Sequence, residues 1–290
     1  MRLAWLTDIH LNFLEAEPRR RFLESLPAQC DALVVSGDIG ESHSIVWLLV
    51  EMERIVQRPI YFVLGNHDFY HGSIAETRAE VASVCAQSPY LRYLTELDVV
   101  ELSPTTALIG HDGWADARCG DFAGTKVVLN DFVLIRELRT LHYFTWLDKY
   151  QLRPLLHALG DEAAVHIRTT LQRAVARYPR VIAATHIPPF PEAAWHEGRM
   201  SNPDWLPFFS CRAVGEAMRE VMQAQPQSQL LVLCGHTHGG GEVQIADNLR
   251  VVTGAARYGE PEIQRIWDCT DKDWHSSLLL GAARPPRAAN

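Results

Sequence analysis

Residues 60–68 of this chain read IYFVLGNHD, an apolar run followed by a polar cluster. Its first five residues form a short apolar run, which is typical of a buried β-strand. The glycine that follows lets the backbone turn sharply, and the polar residues Asn66, His67 and Asp68 come directly after it. In open α/β sheets the carboxyl ends of strands line the ligand crevice. The stretch therefore predicts a buried strand that presents a polar cluster to a site.

The same alternation extends outward on both sides of this stretch. Short apolar runs that predict further buried strands lie at residues 2–7, 33–35, 181–184 and 230–233. Apolar residues recur with a helical period at residues 43–56 and 161–178. Alternating buried strands and helices predict α/β layers. Residues 97–110 and 242–267 contain strand-like runs with little helix between them, so we expect hairpin strands and therefore mixed sheets.

Each predicted strand ends in a polar cluster. Taken singly, a cluster has an ordinary explanation: Gly37-Asp38 is a turn signal, and His186 suits a hydrogen-bonded core histidine. Together, polar clusters that each follow a buried strand predict one shared site. Asp8 and His10 are two residues apart, as are His236 and His238. In extended backbone such residues point to the same side. The clusters are Asp8-Ile9-His10, Gly37-Asp38, Gly65-Asn66-His67-Asp68, Thr185-His186 and Gly235-His236-Thr237-His238.

The residue types in these clusters suit metal ions. Carboxylate, imidazole and amide ligands together bind borderline divalent ions such as Mn, Fe, Zn, Ni or Co, of which we favour Mn. The potential ligands are too many for one four-coordinate ion, and they suit two ions that share a carboxylate. A two-metal site stabilises both the attacking and the leaving oxygen of a displacement at phosphorus, so we expect a metal-dependent phosphoric ester hydrolase.

In this order, the clusters resemble the five signature blocks of the calcineurin-like metallophosphoesterase family. The resemblance spans residues 8–238, and it implies a four-layer α/β/β/α sandwich with two mixed β-sheets. It also implies that Asp38 bridges two metal ions. The implied ligands are Asp8, His10, Asp38 and His238 for the first ion, and Asp38, Asn66, His186 and His236 for the second.

The resemblance further implies how such a site works. A hydroxide between the ions attacks phosphorus, and His67 acts over the leaving group as a general acid or charge stabiliser. Asp68 hydrogen-bonds His67 and fixes its orientation. One position departs from the protein phosphatase branch, which usually has an aspartate three residues after the bridging one. Here that position is Glu41, which weakens the protein phosphatase interpretation.

The loop at residues 111–124 is expected to help select the substrate, because a long loop inside a compact domain is usually functional. Trp114 is a candidate for stacking on a substrate ring, and Arg118 for binding a phosphate oxygen. The alternative is that Trp114 packs under its own loop and that Arg118 pairs with Asp116 or Asp121.

Two further segments adjoin the predicted metal site. Tyr70 comes directly after the cluster at residues 65–68 and is a candidate substrate contact in the pocket wall. The loop at residues 187–210 is rich in proline and aromatic residues, and it predicts a lid or a rim over the metals.

The composition sets the partners and the compartment that we expect. The 290 residues carry 27 basic and 35 acidic side chains, a net charge of −8, which does not suit duplex nucleic acid and leaves a small phosphorylated substrate. We expect no membrane partner, because no stretch approaches the roughly 18 apolar residues of a transmembrane helix. A poor signal peptide and six scattered cysteines favour a reduced, cytoplasmic protein. The composition leaves the oligomeric state open.

Residues 1–270 are predicted to form a single metallophosphoesterase domain. The two long loops are not domain linkers, because strong core strands follow both. Residues 271–290 are predicted to form a partly disordered C-terminal tail.

Three alternatives stand beside hydrolysis of a small phosphodiester, phosphomonoester or nucleotide. A nuclease of the same family needs a basic groove, whereas the one short basic run, at residues 19–21, suits a solvated helix face. A non-catalytic scaffold with the same fold should lack ligands, whereas every expected position is filled here. A lipid pyrophosphate hydrolase needs an amphipathic basic lid, and the sequence shows no such helix.

Overall fold

Two β-sheets pack face to face at the centre of the protein. The computed structural model describes residues 1–139, 141–142, 146–196 and 198–270. The strands are β1 (Arg2–Leu6), β2 (Ala32–Ser36), β3 (Ile60–Val63), β4 (Leu91–Tyr93), β5 (Val100–Ser103), β6 (Thr106–His111), β7 (Leu141–His142), β8 (Trp146–Leu147), β9 (Arg180–Thr185), β10 (Trp195–His196), β11 (Arg199–Met200), β12 (Gln229–Cys234), β13 (Gly241–Ala246), β14 (Leu249–Thr253) and β15 (Arg265–Asp268). The helices are α1 (Ala16–Ser25), α2 (Ile45–Val56), α3 (Ile74–Gln87), α4 (Asp131–Leu134), α5 (Lys149–Val175), α6 (Leu206–Phe209) and α7 (Arg212–Gln223).

The first sheet has the strand order β15-β1-β2-β3-β4. Strands β1 to β4 run parallel, and β15 pairs antiparallel with β1. The outer face of this sheet packs on α1, α2 and α3, which bury Leu23, Leu48 and Val81 among other side chains. Helices cover this face and the second sheet covers the other, which is why the parallel strands read as continuous apolar runs.

The second sheet has the strand order β13-β14-β12-β9-β6-β5. Its four inner strands run parallel, and β13 and β5 are antiparallel at the edges. Helices α5 and α7 cover the outer face through residues such as Ile167 and Met218. Trp5 and Val34 from the first sheet meet Ile182 in a core between the sheets. The predicted four-layer α/β/β/α sandwich with two mixed sheets is confirmed.

The predicted elements match the structure except at the start of α5. The strands and the hairpins β5–β6 and β13–β14 lie where the apolar runs predicted them. Helix α5 begins at Lys149, well before the predicted start at residue 161. Pro154 lies inside the helix, and a proline there normally indicates a break, so the N-terminal part was not predicted as helix. Leu152 in that part is buried. The side chain of Asp148 caps this helix by accepting a hydrogen bond of 3.1 Å from the Gln151 amide.

The single-domain interpretation of residues 1–270 stays a prediction. The predicted tail, residues 271–290, lies outside the described residues. Within the part of the chain that the structure describes, no helix combines the length and apolar character needed to cross a bilayer.

Candidate metal centre

The predicted ligands come together at the carboxyl ends of five parallel strands. Strands β1, β2 and β3 of the first sheet and β9 and β12 of the second end at the same place in the sandwich. Each loop that follows one of these strands carries one or two of the side chains. The structure brings together Asp8, His10, Asp38, Asn66, His186, His236 and His238.

A first cluster consists of Asp8, His10, Asp38 and His238. Each offers one ligand atom, and these atoms all lie within 4.8 Å of one another. The Nε2 atoms of His10 and His238 are 3.3 Å apart, and Nε2 of His238 lies 3.4 Å from Oδ1 of Asp8. Two carboxylates that face two imidazole nitrogens at this spacing fit a divalent cation.

A second cluster is built around the amide oxygen of Asn66. Its Oδ1 lies 3.0 Å from Nε2 of His186 and 2.9 Å from Nδ1 of His236. The orientation of this amide is fixed, because its Nδ2 donates to Oδ1 of Asp131 at 2.9 Å and to the Tyr70 hydroxyl at 3.2 Å. Oδ1 is therefore turned towards the two histidines.

The other nitrogen of each histidine in this cluster contacts a backbone carbonyl. Nδ1 of His186 lies 2.9 Å from the carbonyl oxygen of Ser36, and Nε2 of His236 lies 3.0 Å from that of Phe208. A carbonyl oxygen only accepts, so these nitrogens carry protons, and the second nitrogen of a neutral ring would point its lone pair at Asn66. Acceptors that converge in this way fit a bound cation.

The charge states of the two histidines differ. Burial, and then the nearby His186, lower the pKa of His236 to about 3, so its ring is neutral. Burial opposes the charged form of His186, but the Asp38 carboxylate raises its pKa to about 10. A proton and a metal ion therefore compete for the same lone pair of His186.

Asp38 lies between the two clusters, as a shared ligand should. Its Oδ1 is 3.3 Å from Nε2 of His186, and its Oδ2 is 3.7 Å from Nε2 of His10. Burial opposes its ionisation, but the neighbouring His186 and His67 hold the pKa of Asp38 well below its usual value. One ionised carboxylate thus faces both clusters.

The backbone of these ligand loops differs from our expectation. We predicted extended backbone at Asp8 and His10 and at His236 and His238. This was wrong, because β1 already ends at Leu6 and β12 at Cys234. Asp8 and His10 donate their amides to the carbonyls of Gly37 and Asp38 at 3.0 and 2.9 Å, which bends the loop. The ligands with positive φ are Asp8 (48°), His10 (37°), Asp38 (54°), His236 (72°) and His238 (57°), a region that costs energy outside glycine.

Two glycines are required by close approach to the ligands. A Cβ atom at Gly65 would collide with Oδ1 of Asp38, and one at Gly235 would collide with Oδ2 of Asp8. The predicted role of these glycines beside the ligands therefore has a steric basis.

The expected hydrogen bond between Asp68 and His67 was wrong. Oδ1 of Asp68 accepts the amides of Ile39 and Gly40 at 2.9 and 2.7 Å, and its Oδ2 accepts the amide of Gly65 at 2.8 Å. The carboxylate is buried and turned towards these amides, so it ties two ligand loops together. Nδ1 of His67 is buried without a hydrogen-bond partner.

His67 nevertheless lies beside the metal clusters. Its ring centroid is 4.7 Å from that of His10, and its backbone amide donates to Oδ1 of Asp38 at 2.9 Å. Tyr70 stacks on the imidazole at 4.2 Å between ring centroids. Stacking on Tyr70 and the backbone hydrogen bond to Asp38, rather than a side-chain hydrogen bond to Asp68, position this histidine.

Asp131 is a site residue that the sequence analysis missed. It is buried, and its Oδ1 accepts hydrogen bonds from the Tyr70 hydroxyl at 2.8 Å and from Nδ2 of Asn66. Burial raises the pKa of Asp131, although the two donors oppose this. No signal in the sequence links it to Asn66, because it opens the short helix α4 far along the chain.

Tyr258 and Phe13 form a second feature that the sequence analysis missed. The Tyr258 ring lies 4.6 Å from that of His10 and 5.1 Å from that of His238, and it contacts the Phe13 ring at 5.0 Å. Burial, and then Asp38 and Asp8, raise the pKa of Tyr258 to about 12, so it is a neutral phenol. It lies within residues 242–267, where the sequence predicted hairpin strands.

Trp114 and Arg118 do not face the metal centre as substrate contacts. Trp114 is only 4% exposed and packs on Phe69 at 5.8 Å between ring centroids. Arg118 donates to Asp116 at 3.0 Å and to Asp161 at 2.9 Å. Packing and ion pairing already use these side chains, which favours the alternative interpretation for both, and their substrate roles stay predictions.

Tyr70, the third predicted substrate contact, has a different role. Its side chain is buried, its hydroxyl donates to Asp131, and its ring supports His67. Tyr70 therefore positions His67 and Asn66 from the buried side of the site.

The proline-rich loop forms a rim beside the second cluster. The Phe209 ring lies 5.1 Å from the ring of His236, and the Phe208 carbonyl accepts from the same histidine. Phe208 and Phe209 are themselves buried, so this part of the loop is a fixed wall.

Comparisons with known proteins agree with this fold. The phosphopantetheinyl hydrolase from Mycobacterium tuberculosis is 14% identical with a TM-score of 0.63, over 98% of each chain. A dimetal phosphatase from Danio rerio is 14% identical with a TM-score of 0.53, over 88% of this chain and 87% of that one. A comparison with curated proteins gave no match. A model of the calcineurin-like phosphoesterase family matches residues 1–240, so the resemblance seen in the signature blocks is confirmed. This chain belongs to the calcineurin-like phosphoesterase family.

Proposed function

We propose that this chain hydrolyses a small phosphodiester, phosphomonoester or nucleotide with the help of two divalent metal ions. One observation carries the proposal: the amide oxygen of Asn66 and the facing ring nitrogens of His186 and His236 converge beside a carboxylate, Asp38, that also faces the first cluster. Two separate sets of ligands that meet at one carboxylate are what two neighbouring ions need.

The residues of the site would divide the work as follows. Asp8, His10, Asp38 and His238 would hold one ion, and Asp38, Asn66, His186 and His236 the other. Two bound ions supply activation of water and neutralisation of charge on a phosphoester. His67 lies beside the clusters and is held by Tyr70, so it is placed to give a proton to the leaving oxygen.

The proposal also covers the class of substrate, the metal and the cellular compartment. A net charge of −8 favours a small phosphorylated molecule over a nucleic acid. A phosphopantetheinyl ester is one candidate, on the strength of the fold shared with the M. tuberculosis hydrolase. We favour Mn as the metal, and the six free cysteines favour a reduced, cytoplasmic setting.

The test is hydrolysis of bis(p-nitrophenyl) phosphate and p-nitrophenyl phosphate by metal-stripped protein. Mn²⁺, Zn²⁺, Fe²⁺, Ni²⁺, Co²⁺ or Mg²⁺ is added back to each sample. We expect cleavage only with added metal, and the preferred ester separates diesters from monoesters. We expect His67→Ala to lower kcat by roughly 100-fold or more for an alkyl phosphoester, whose leaving oxygen needs a proton, and by less for the p-nitrophenyl esters.

The matched control is His157→Ala, a partly exposed histidine on α5. It should leave the rate unchanged. Absence of cleavage with every ion would contradict the proposal, as would cleavage that does not depend on metal.

A further inference from the structure

Phe13 and Tyr258 form an exposed aromatic wall at the metal centre. Each side chain is 52% exposed, although both are large and apolar. Their rings meet edge to face, with centroids 5.0 Å apart and an angle of 69°. Rings in this arrangement attract one another, and they still leave surface open to a third ring.

The aromatic wall lies over the first cluster and close to the histidine proposed as general acid. The Tyr258 ring centroid is 4.6 Å from that of His10, 5.1 Å from that of His238 and 6.2 Å from that of His67. A group that extends from a phosphate at this centre on the side of Tyr258 would meet the aromatic wall.

Backbone hydrogen bonds fix the position of the aromatic wall relative to the predicted metal ligands. The Phe13 amide donates to the carbonyl of His10 at 3.0 Å, and the amide of Ala256 donates to the carbonyl of His238 at 3.3 Å. The loop that carries Tyr258 is closed by the Gln264 side chain, which bonds the amide and the carbonyl of Ala255 at 3.0 and 2.8 Å. The wall is therefore preorganised.

The Tyr258 hydroxyl is available to hydrogen-bond a ligand. Among the described residues, no hydrogen bond involves the Tyr258 hydroxyl. A phenol whose ring flanks a phosphate site offers an apolar face and one hydrogen-bond donor.

We propose that the aromatic wall is a substrate subsite that binds a flat aromatic group attached to the phosphate in preference to a small aliphatic group. This inference rests on the proposed phosphoesterase function and narrows its substrate class to aryl or nucleoside phosphoesters. Stacking on Tyr258 and Phe13 supplies the preference, because aromatic pairs attract one another beyond simple area burial.

The direct test is calorimetric binding of phenylphosphonate and methylphosphonate to the metal-loaded protein. The two probes share the same anionic head and differ in one substituent. We expect phenylphosphonate to bind roughly threefold to tenfold more tightly, the range expected for one aromatic contact. Tyr258→Ala and Phe13→Ala should each remove most of this preference, whereas Tyr258→Phe should retain it.

Tyr150→Ala is the matched control, because this tyrosine is 91% exposed on α5. It should keep the full preference. Equal affinities in the wild type, or a preference that survives both alanine substitutions in the wall, would overturn the inference.

Turnover separates this result from a failure of the proposed function. Methyl p-nitrophenyl phosphate should be cleaved by the metal-loaded wild-type protein. Cleavage without a phenyl preference would overturn the aromatic subsite alone. No cleavage and no phosphonate binding with any added ion would overturn both proposals.

Discussion

The side chain of Asn66 explains, at the residue scale, why a cation belongs in the second cluster. An amide has one accepting end, and here two donations to Asp131 and Tyr70 turn that end towards His186 and His236. Without these two acceptors, the Asn66 amide could rotate and turn its nitrogen towards the histidines. Asp131 therefore acts through Asn66, as groups behind a metal ligand commonly do.

We expect Asp131→Leu to weaken binding of one of two metal ions by about 10- to 100-fold, the usual cost of losing a group behind a ligand. Leucine removes the acceptor that holds Asn66 and Tyr70 while filling a similar space. Titration of the metal-stripped protein with Mn²⁺ gives the two affinities.

Asp131→Asn is the matched variant, because both hydrogen bonds reach Oδ1, which asparagine can replace. It should bind both ions nearly as well as the wild type. Unchanged affinities in Asp131→Leu would show that Asp131 does not position Asn66.

At this scale, the sequence predicted which residues gather but not how each one is held. The polar clusters after the buried strands, together with the family resemblance, were enough to predict the seven candidate ligands that gather. The partner of Asp68 was missed, since backbone amides of a neighbouring loop leave no pattern in the sequence. The burial of Trp114 was left open for a related reason, because a tryptophan in a loop suits either stacking or packing.

At the element scale, the loops after β1, β2 and β3 act as one unit. The β1 loop donates backbone hydrogen bonds to the β2 loop through Asp8 and His10. Asp68 then joins the β2 loop to the start of its own loop through Gly40 and Gly65. The positive φ values of the ligands persist because these bonds over-determine the backbone.

We expect Asp68→Ala to lower the free energy of unfolding by about 3 kcal/mol or more. The substitution leaves three buried amides without an acceptor, and each such group costs about 1–3 kcal/mol. Urea denaturation with a chelator present measures this loss without any contribution from bound metal.

Asp98→Ala serves as the control, because Asp98 makes a surface ion pair with Arg173 and both side chains are more than half exposed. Such pairs contribute little, so its stability should stay close to that of the wild type. An equal, small loss in both variants would contradict the role of Asp68 in joining the loops.

The elements themselves were largely predictable, because buried parallel strands read as short apolar runs. Helix α5 was only half predicted, since Pro154 interrupts the pattern that its first turns would otherwise show. The loop that places Tyr258 at the metal centre could not be foreseen. Its position depends on hydrogen bonds to His238 and Trp5, which are distant in the chain.

At the scale of the whole molecule, the sandwich explains how distant residues form one site. The two sheets pack through a shared core, and ligand-bearing strands in both sheets end at the same side. Two buried carboxylates, Asp8 and Asp38, lie at that meeting point among the histidines. Such a pocket attracts cations before any substrate arrives.

The four-layer architecture was predictable from strand and helix alternation together with the family resemblance. Oligomeric state and substrate were not, because neither leaves a local pattern in one chain.

The number of metal ions bound per chain shows whether the two clusters form a two-metal centre. Elemental analysis after loading with Mn²⁺ and dialysis should find two ions per wild-type chain, and at most one in Asp38→Ala, because Asp38 faces both clusters. Thermal unfolding of both proteins with a chelator present shows that the variant is folded. Fewer than two ions in the wild type, or two ions retained without the Asp38 carboxylate, would contradict a shared two-metal centre.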